Sequence, residues 1–398
     1  MSGWNVIPIK QLGRVVTGKT PPTGSAEYYG GNELFVSPKD LTRDSCFVSE
    51  TETQISIRAL EKFKGQVIPK NSVMFTSLSF AFGKMGITTR PCITNQQINT
   101  VVPNEEHNYR FVYYLLRTYE PIIFSYNSGI DTPIVPKSVF EKIQIRCPDL
   151  ALQKKIAAVL AAYDDLIENN RRRVELLERM AAELYREWFV RFRFPGYQQA
   201  KFHKGLPAEW ELKKLKDILE LCYGKALKEE QRQPGDFPVY GSSGVVGSHN
   251  KPLVDGPGII IGRKGNVGSI HWSDTGFFPI DTAYFVKAKI SLHYVFFMLG
   301  GLNFINNDSA VPGLNREQAY SNPVLLPPAT LIEKFKGIVI SYFAEKQSIL
   351  KRNEVLSEMR DQLLTRLISG RLTVDQLDIQ FPPSMREAAE APQEVAHA

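Results

Sequence analysis

Two glycine-rich stretches of this 398-residue chain carry side chains suited to gripping a polyanion. Tyr240-Gly241-Ser242-Ser243-Gly244-Val245-Val246-Gly247 and Gly262-Arg263-Lys264-Gly265-Asn266-Val267-Gly268 set hydroxyl, amide and cationic groups on bare backbone. Earlier stretches combine similar groups: Gly18-Lys19-Thr20, Pro38-Lys39-Asp40, Ser77 to Lys84, and Asn95-Gln96. Such groups hold phosphates and reach base edges, with Arg or Lys on guanine, Asn or Gln on adenine and Asp on cytosine. The candidate DNA-binding set is Lys19, Thr20, Lys39, Asp40, Ser77, Lys84, Asn95 and Gln96, then Lys225, Tyr240, Ser242, Ser243, Arg263, Lys264, Asn266 and Asp281. The plain alternative for any one stretch is a glycine-rich hairpin turn.

Catalytic motifs are scarce. Gly13-x-x-x-x-Gly18-Lys19-Thr20 fits the phosphate-binding P-loop pattern, which needs a helix starting at the Lys. Pro21 and Pro22 follow at once and oppose that helix, so a turn with a basic tip is expected instead. The six histidines (107, 203, 249, 271, 293 and 397) show no HExxH or paired metal spacing. There is no GxSxG elbow and no Asn-Pro-Pro-aromatic tetrapeptide of the kind used to methylate exocyclic amines. No catalytic residue and no metal site are expected.

Cys46, Cys92, Cys147 and Cys222 stand far apart without a CxxC pair, which fits a reducing cytoplasm better than a zinc or disulfide framework. The N-terminus lacks a charged-then-apolar export signal, and no apolar run reaches the ~20 residues of a membrane helix. Net charge is +6, yet residues 373–398 hold five acids and one base, so the rest of the chain is more basic than the total suggests. A basic excess suits a polyanionic partner.

What must position these loops is a duplicated frame. Residues 152–184 align without a gap on 331–363 at an offset of 179: Leu152 on Leu331, Tyr163 on Tyr342, Arg173 on Arg352, Met180 on Met359. The same offset sets Pro133 on Pro312 and Pro148 on Pro327, while Trp4 and Gly18-Lys19 meet Trp210 and Gly224-Lys225 at offset 206. Each half is a globular segment followed by a long helix. Ile156, Tyr163, Asn170, Leu177 and Leu184 recur every seventh residue, with Val159, Leu166 and Met180 between them. Phe335, Tyr342, Ile349, Leu356 and Leu363 do the same, with Ile338 and Met359. These heptads predict two helices of about 38 residues paired as an antiparallel coiled coil, with polar flaws at Asn170, Arg173, Glu345 and Arg352. Thr330-x-x-Glu333 has the form of a capping box, and Pro195-Gly196 and Gly370 mark the stops.

The fold class expected is α+β. Two related mixed α/β domains, each with a modest, mostly antiparallel sheet, are separated by the two helices in a pseudo-two-fold internal repeat. The expected boundaries are 1–148 and 205–327 for the domains, 149–195 and 328–372 for the helices, and 373–398 for an acidic tail without fixed structure.

The order of phrases resembles the specificity (S) subunits of type I restriction-modification systems. In the first half they are TGKTPPTGSAEYYGGNELFVSPKDL, TNQQ and CPDLALQKKIAAVL. In the second they are EWELKKLKDI, GKALKEEQRQPGDFPVYGSSGVVGSHNK, IGRKGNVGSI, FPIDTAYFV, VPGLNREQ and LLPPATLIEKF. The likeness spans about residues 4–372. It implies two target-recognition domains, each reading one half of a split asymmetric DNA site, and spacer helices that set the gap. It also implies a non-catalytic chain that docks two methyltransferase (M) subunits and joins a restriction (R) subunit. S-adenosylmethionine, ATP and Mg then belong to those partners, with no cofactor on this chain. The alternative from another class is a coiled-coil scaffold that never touches DNA.

Overall fold

The computed structural model describes residues 4–43, 45–78, 83–127, 134–304 and 313–386. It divides into two units, residues 1–172 with 350–398, and residues 173–349. The second offset-179 pair, Pro133 and Pro312, and the tail beyond 386 lie outside the described residues.

The first unit holds strands β1 (Trp4–Pro8), β2 (Gly13–Thr17), β3 (Tyr29–Val36), β4 (Phe47–Val48), β5 (Thr53–Ile55), β6 (Val73–Thr76), β7 (Met85–Thr88), β8 (Cys92–Thr94), β9 (Ile98–Pro103) and β10 (Gln144–Pro148). Where one sheet was expected there are three, with orders β2-β9-β6-β7-β4, β5-β3-β8 and β1-β10. Pairing is antiparallel except for β4 with β7 and β3 with β8. Turn chemistry divides the sheet: Asn71 sits at φ 66°, which cuts the apolar run from Val67 down to a four-residue strand.

Helices α1 (Ile57–Lys62), α2 (Tyr109–Ser125) and α3 (Lys137–Phe140) precede the long α4 (Leu150–Tyr185). Asn108 caps α2, its side-chain oxygen accepting from the N–H groups of Arg110 and Phe111 at 3.1 Å each. Phe111 to Leu116 are all buried, so α2 is a core helix, packed among Leu12, Phe75, Val101, Phe140 and Leu160.

The second unit holds β11 (Phe202–His203), β12 (Leu206–Pro207), β13 (Glu211–Lys214), β14 (Leu219–Tyr223), β15 (Phe237–Gly241), β16 (Gly244–His249), β17 (Gly258–Gly262), β18 (Ile270–Ser273), β19 (Phe278–Pro279), β20 (Ala283–Ala288) and β21 (Pro323–Leu326). Its helices are α5 (Leu215–Ile218), α6 (Leu292–Gly300), α7 (Arg316–Tyr320) and α8 (Ala329–Ile368). The sheet order β14-β20-β17-β18 repeats β2-β9-β6-β7, and β13-β21 repeats β1-β10. Parallel β15 and β19 repeat parallel β3 and β8.

The long helices run antiparallel within each unit. In the first, Asp164 meets Arg360 at 2.7 Å and Asn170 donates to Asn353 at 2.8 Å. In the second, Arg173 meets Glu345 at 3.1 Å and Glu178 meets Lys346 at 3.0 Å. The polar flaws expected at Asn170, Arg173 and Glu345 are therefore satisfied cross-helix pairs.

The heptad phase needs correcting. Leu166, Met180, Ile338 and Met359 are exposed, while Ile167, Ala181, Val339 and Arg360, one residue on, are buried. The seventh-residue column is shared by an i+3 and an i+4 seam, and the helices meet along the latter. The proposed capping box is also displaced: α8 begins at Ala329, so Thr330 lies inside it.

The acidic segment is not unstructured from 373. Val374 is buried with Leu367 and Ile368, and Lys155 donates to the carbonyls of Asp375 and Leu377 at 2.6 and 2.8 Å. Burial of Val374 and those two bonds hold it on α4, and a 3-10 turn at Pro383–Met385 continues it.

Candidate nucleic-acid interface

In the first unit the candidate loops leave neighbouring strand ends and are tied together by backbone bonds. After β2, the Gly18 N–H donates to the Ile98 carbonyl at 3.2 Å. After β6, the Ser77 N–H donates to the Gln97 carbonyl at 2.8 Å. After β8, the Asn95 N–H donates to the Val36 carbonyl at 2.9 Å. The Thr20 hydroxyl donates to Gln96 at 2.8 Å, and Lys84 Nζ donates to the Pro38 carbonyl at 3.1 Å. All eight candidates of this unit therefore belong to one cluster of loops.

The second unit repeats the frame. The Gly224 N–H donates to the Ala283 carbonyl at 3.1 Å and the Lys225 N–H to the Pro279 carbonyl at 3.0 Å. The Arg263 N–H donates to the Thr282 carbonyl, as the Ser77 N–H does to that of Gln97. The Leu314 N–H donates to the Arg263 carbonyl, as the Val135 N–H does to that of Ser77. Ser77 and Arg263 thus occupy one place in the frame. Gly18 and Gly224 do as well: an added Cβ would lie 2.2 Å from the Asn95 carbonyl oxygen in one and 2.1 Å from that of Ile280 in the other.

Lys19, Lys39 and Gln96, and Lys225, Ser243, Lys264, Asn266 and Asp281, are exposed at these loops. Lys39 has only a 3.8 Å ion pair with exposed Glu52, an interaction of little strength in water. Three candidates are turned inward and build the loops. Asp40 accepts from the Ser37 N–H and hydroxyl and from the Glu52 N–H, all at 2.8 Å, so its oxygens serve the turn. Ser77 is 6% exposed, its hydroxyl donating to the Gln97 carbonyl. Tyr240 is 7% exposed, its hydroxyl donating to the Trp272 carbonyl at 3.3 Å. Turn hydrogen bonds and strand packing decided these, and spacing carries no sign of either.

Sequence reasoning missed a cleft of about 320 Å³ in the second unit, lined in part by Tyr223, Arg263, Lys264, Tyr284, Arg316 and Glu317. The Arg263 guanidinium carbon lies 5.2 Å from the Tyr223 ring centre and 5.8 Å from that of Tyr284, and Arg316 lies 5.4 Å from Tyr223. Burial and the neighbouring Tyr223 push the Tyr284 hydroxyl up to about 12, so it stays neutral and donates to the Leu314 carbonyl. Tyr223 directly before Gly224-Lys225 was the available signal.

The P-loop reading fails on geometry. Gly13–Thr17 is a strand paired with β9, and only a three-residue 3-10 turn, Ala26–Tyr28, comes before β3. Cys147 lies 3.7 Å from His107, but burial pushes its thiol up to about 12, which removes the thiolate a nucleophile needs. Among the described residues no cluster of His, Cys, Asp or Glu could hold a metal ion.

The family model for the type I restriction modification DNA specificity domain matches residues 1–179 and 207–353. The chain belongs to this family. The two matched segments of this specificity-domain protein each contain one of the loop clusters. It is 26% identical to the MjaIX specificity subunit of Methanocaldococcus jannaschii, over 94% of both chains. It is 28% identical to the HindI specificity subunit of Haemophilus influenzae over 42% of this chain and 38% of that one. The crystal structure of a type I S subunit from M. genitalium shares its fold, with a TM-score of 0.53 at 18% identity, covering 92% of this chain and 96% of that chain.

Proposed function

We propose that the chain is the sequence-reading, DNA-binding subunit of a type I restriction-modification complex. The loop cluster of each unit reads one half of a split duplex site, and the long helices fix the gap and dock two methyltransferase subunits, which a restriction subunit joins. The observation carrying this reading is that one backbone frame occurs twice, with a lysine shared at Lys19 and Lys225 but otherwise unlike outward side chains: Lys39 and Gln96 in one unit, Lys264, Asn266 and Asp281 in the other. A repeated frame with unlike tips suits an asymmetric target, since phosphate contacts position a reader and base-edge contacts specify. The scaffold alternative gives no reason for that arrangement.

On this reading the chain does no chemistry. A methyltransferase must extrude its target base into a pocket, and that pocket, with S-adenosylmethionine, belongs to the methyltransferase subunits. ATP and Mg belong to the restriction subunit. Leu166, Val355 and Met359 of the first unit, and Leu176, Met180 and Ile340 of the second, are exposed apolar residues of the long helices available for docking. No helix among the described residues is long and apolar enough to cross a membrane, and a DNA target places the chain in the cytoplasm.

Selection from randomised duplex DNA by the chain with its methyltransferase subunits tests the proposal. The expected product is a two-part motif with one gap length. Recovery of unselected sequence would favour the scaffold.

A further inference from the structure

The shared frame lets the two units be compared position by position. In the first unit, Thr17 and Asn99 pair across β2 and β9, and the Thr17 hydroxyl donates to the Asn99 side chain at 2.7 Å. In the second, the same places on β14 and β20 are Tyr223 and Tyr284, with ring centres 5.0 Å apart. Where the first frame has Ser77, whose hydroxyl donates to the Gln97 carbonyl, the second has Arg263, whose guanidinium lies over the two tyrosines. A small polar floor in one unit is thus a stacked cation in the other.

Among the described residues, no carboxylate or carbonyl engages the Arg263 guanidinium, and its buried Nε has no hydrogen-bond partner. Stacking on two rings restricts the fork before any ligand arrives, so less freedom is lost on binding. The surroundings choose between the two ligands that such a fork suits. Glu317 lines the same cleft, with a carboxylate oxygen 3.9 Å from Arg316 Nε. Exposed Asp281 directly precedes Thr282, whose carbonyl anchors the Arg263 and Lys264 N–H groups at 2.8 and 3.1 Å. Lys264 and Arg316 line the same cleft and suit the phosphate contacts, which leaves the Arg263 fork, held over two rings, for a neutral base edge, where O6 and N7 of guanine accept paired hydrogen bonds.

We propose that Arg263 is a specificity-determining residue that reads a guanine in the half-site of the second unit, with Tyr223 as its positioning residue; this rests on the duplex-reading function above. The first unit carries Ser77 at that place.

The test is the full chain with its methyltransferase subunits, selecting from randomised duplex DNA as wild type, Arg263→Gln, Tyr223→Ala and Tyr223→Phe. The expected result for Arg263→Gln is loss of about fivefold to 150-fold of the preference for guanine at one position of one half-site, the other half unchanged. Tyr223→Ala weakens the same preference, and Tyr223→Phe, which keeps the ring, retains it. If every guanine of the wild-type motif survives Arg263→Gln, the inference is overturned and the duplex-reading function stands. Uniform weakening across sequences with a shallower salt dependence identifies a phosphate contact and also overturns it. Absence of any wild-type motif removes the duplex-reading function and this inference with it. Unchanged circular dichroism of Arg263→Gln separates loss of reading from loss of fold.

Discussion

Replacing Asp164 by Leu in the first unit strands a cation in the core between α4 and α8. The Asp164 and Arg360 side chains are 7% and 6% exposed and meet at 2.7 Å, and the Tyr114 hydroxyl donates to the same carboxylate. Burial opposes the charge on Arg360, but Asp164 and Asp361 outweigh it and hold its proton more tightly than usual. Breaking one partner of a buried pair costs about 3–5 kcal/mol. Half-exposed Asp361, 2.9 Å from Arg360, remains and keeps the cost near the lower end, about 3 kcal/mol. At about 2–4 °C per kcal/mol for a unit of roughly 200 residues, the midpoint should fall by about 6–12 °C. Asp164→Leu with Arg360→Met removes both charges and should lose less than Asp164→Leu alone, because apolar replacement of a buried pair is often neutral. Thermal unfolding, with hydrogen exchange of α2 to locate the loss, gives the answer. A double variant as unstable as the sum of the two single ones refutes the coupling on which this reasoning rests.

Further expectations concern the loops and the pH response. Lys225→Ala with Lys264→Ala should weaken duplex binding and flatten its dependence on salt, read by titration between 50 and about 200 mM salt; an unchanged slope means these lysines touch no phosphate. Exchange of residues 205–327 for the same segment of a homologue should change one half of the methylated motif and keep the other, read by methylation sequencing. Asp40→Ala should lower stability by about 1–3 kcal/mol through its turn, with base preference unchanged, as measured by urea unfolding and selection. Burial lowers the His107 pKa below its usual 6.5, so folding resists its protonation and the neutral form's contribution is lost as pH falls through 6.5. Urea unfolding between about pH 5 and 7.5 should therefore show a shallower pH dependence for His107→Gln than for the wild type.

The repeat and the two long helices were legible because a seven-residue column survives any local detail. The side of that column on which the helices meet was not, since Val159 and Leu160, or Leu166 and Ile167, serve equally as apolar neighbours. Composition pointed to loops that the fold gathers into clusters, yet it could not separate Lys264, which faces out, from Tyr240 and Ser77, which face in. Hydrogen bonds to chain distant in sequence made that choice. Tyr223 escaped notice because a tyrosine carries no charge to suggest a polyanion, and Arg316 because it stands outside the glycine-rich stretches, until the fold sets both around one cleft. The start of the tail misled through its charge, as over residues 373–386 one buried valine and two bonds from Lys155 outweigh an acidic composition.

The close approach at Gly18 and Gly224 bears on how such a chain can acquire a new target. Each glycine presses on the backbone of the neighbouring segment, Thr94-Asn95 or Pro279-Ile280, with no room for a methyl group. A loop transplanted alone meets a neighbour shaped for another loop. Inheritance of a new preference then has two routes: exchange of the whole cluster as one piece, or single side-chain changes on an unaltered frame, as between Ser77 and Arg263.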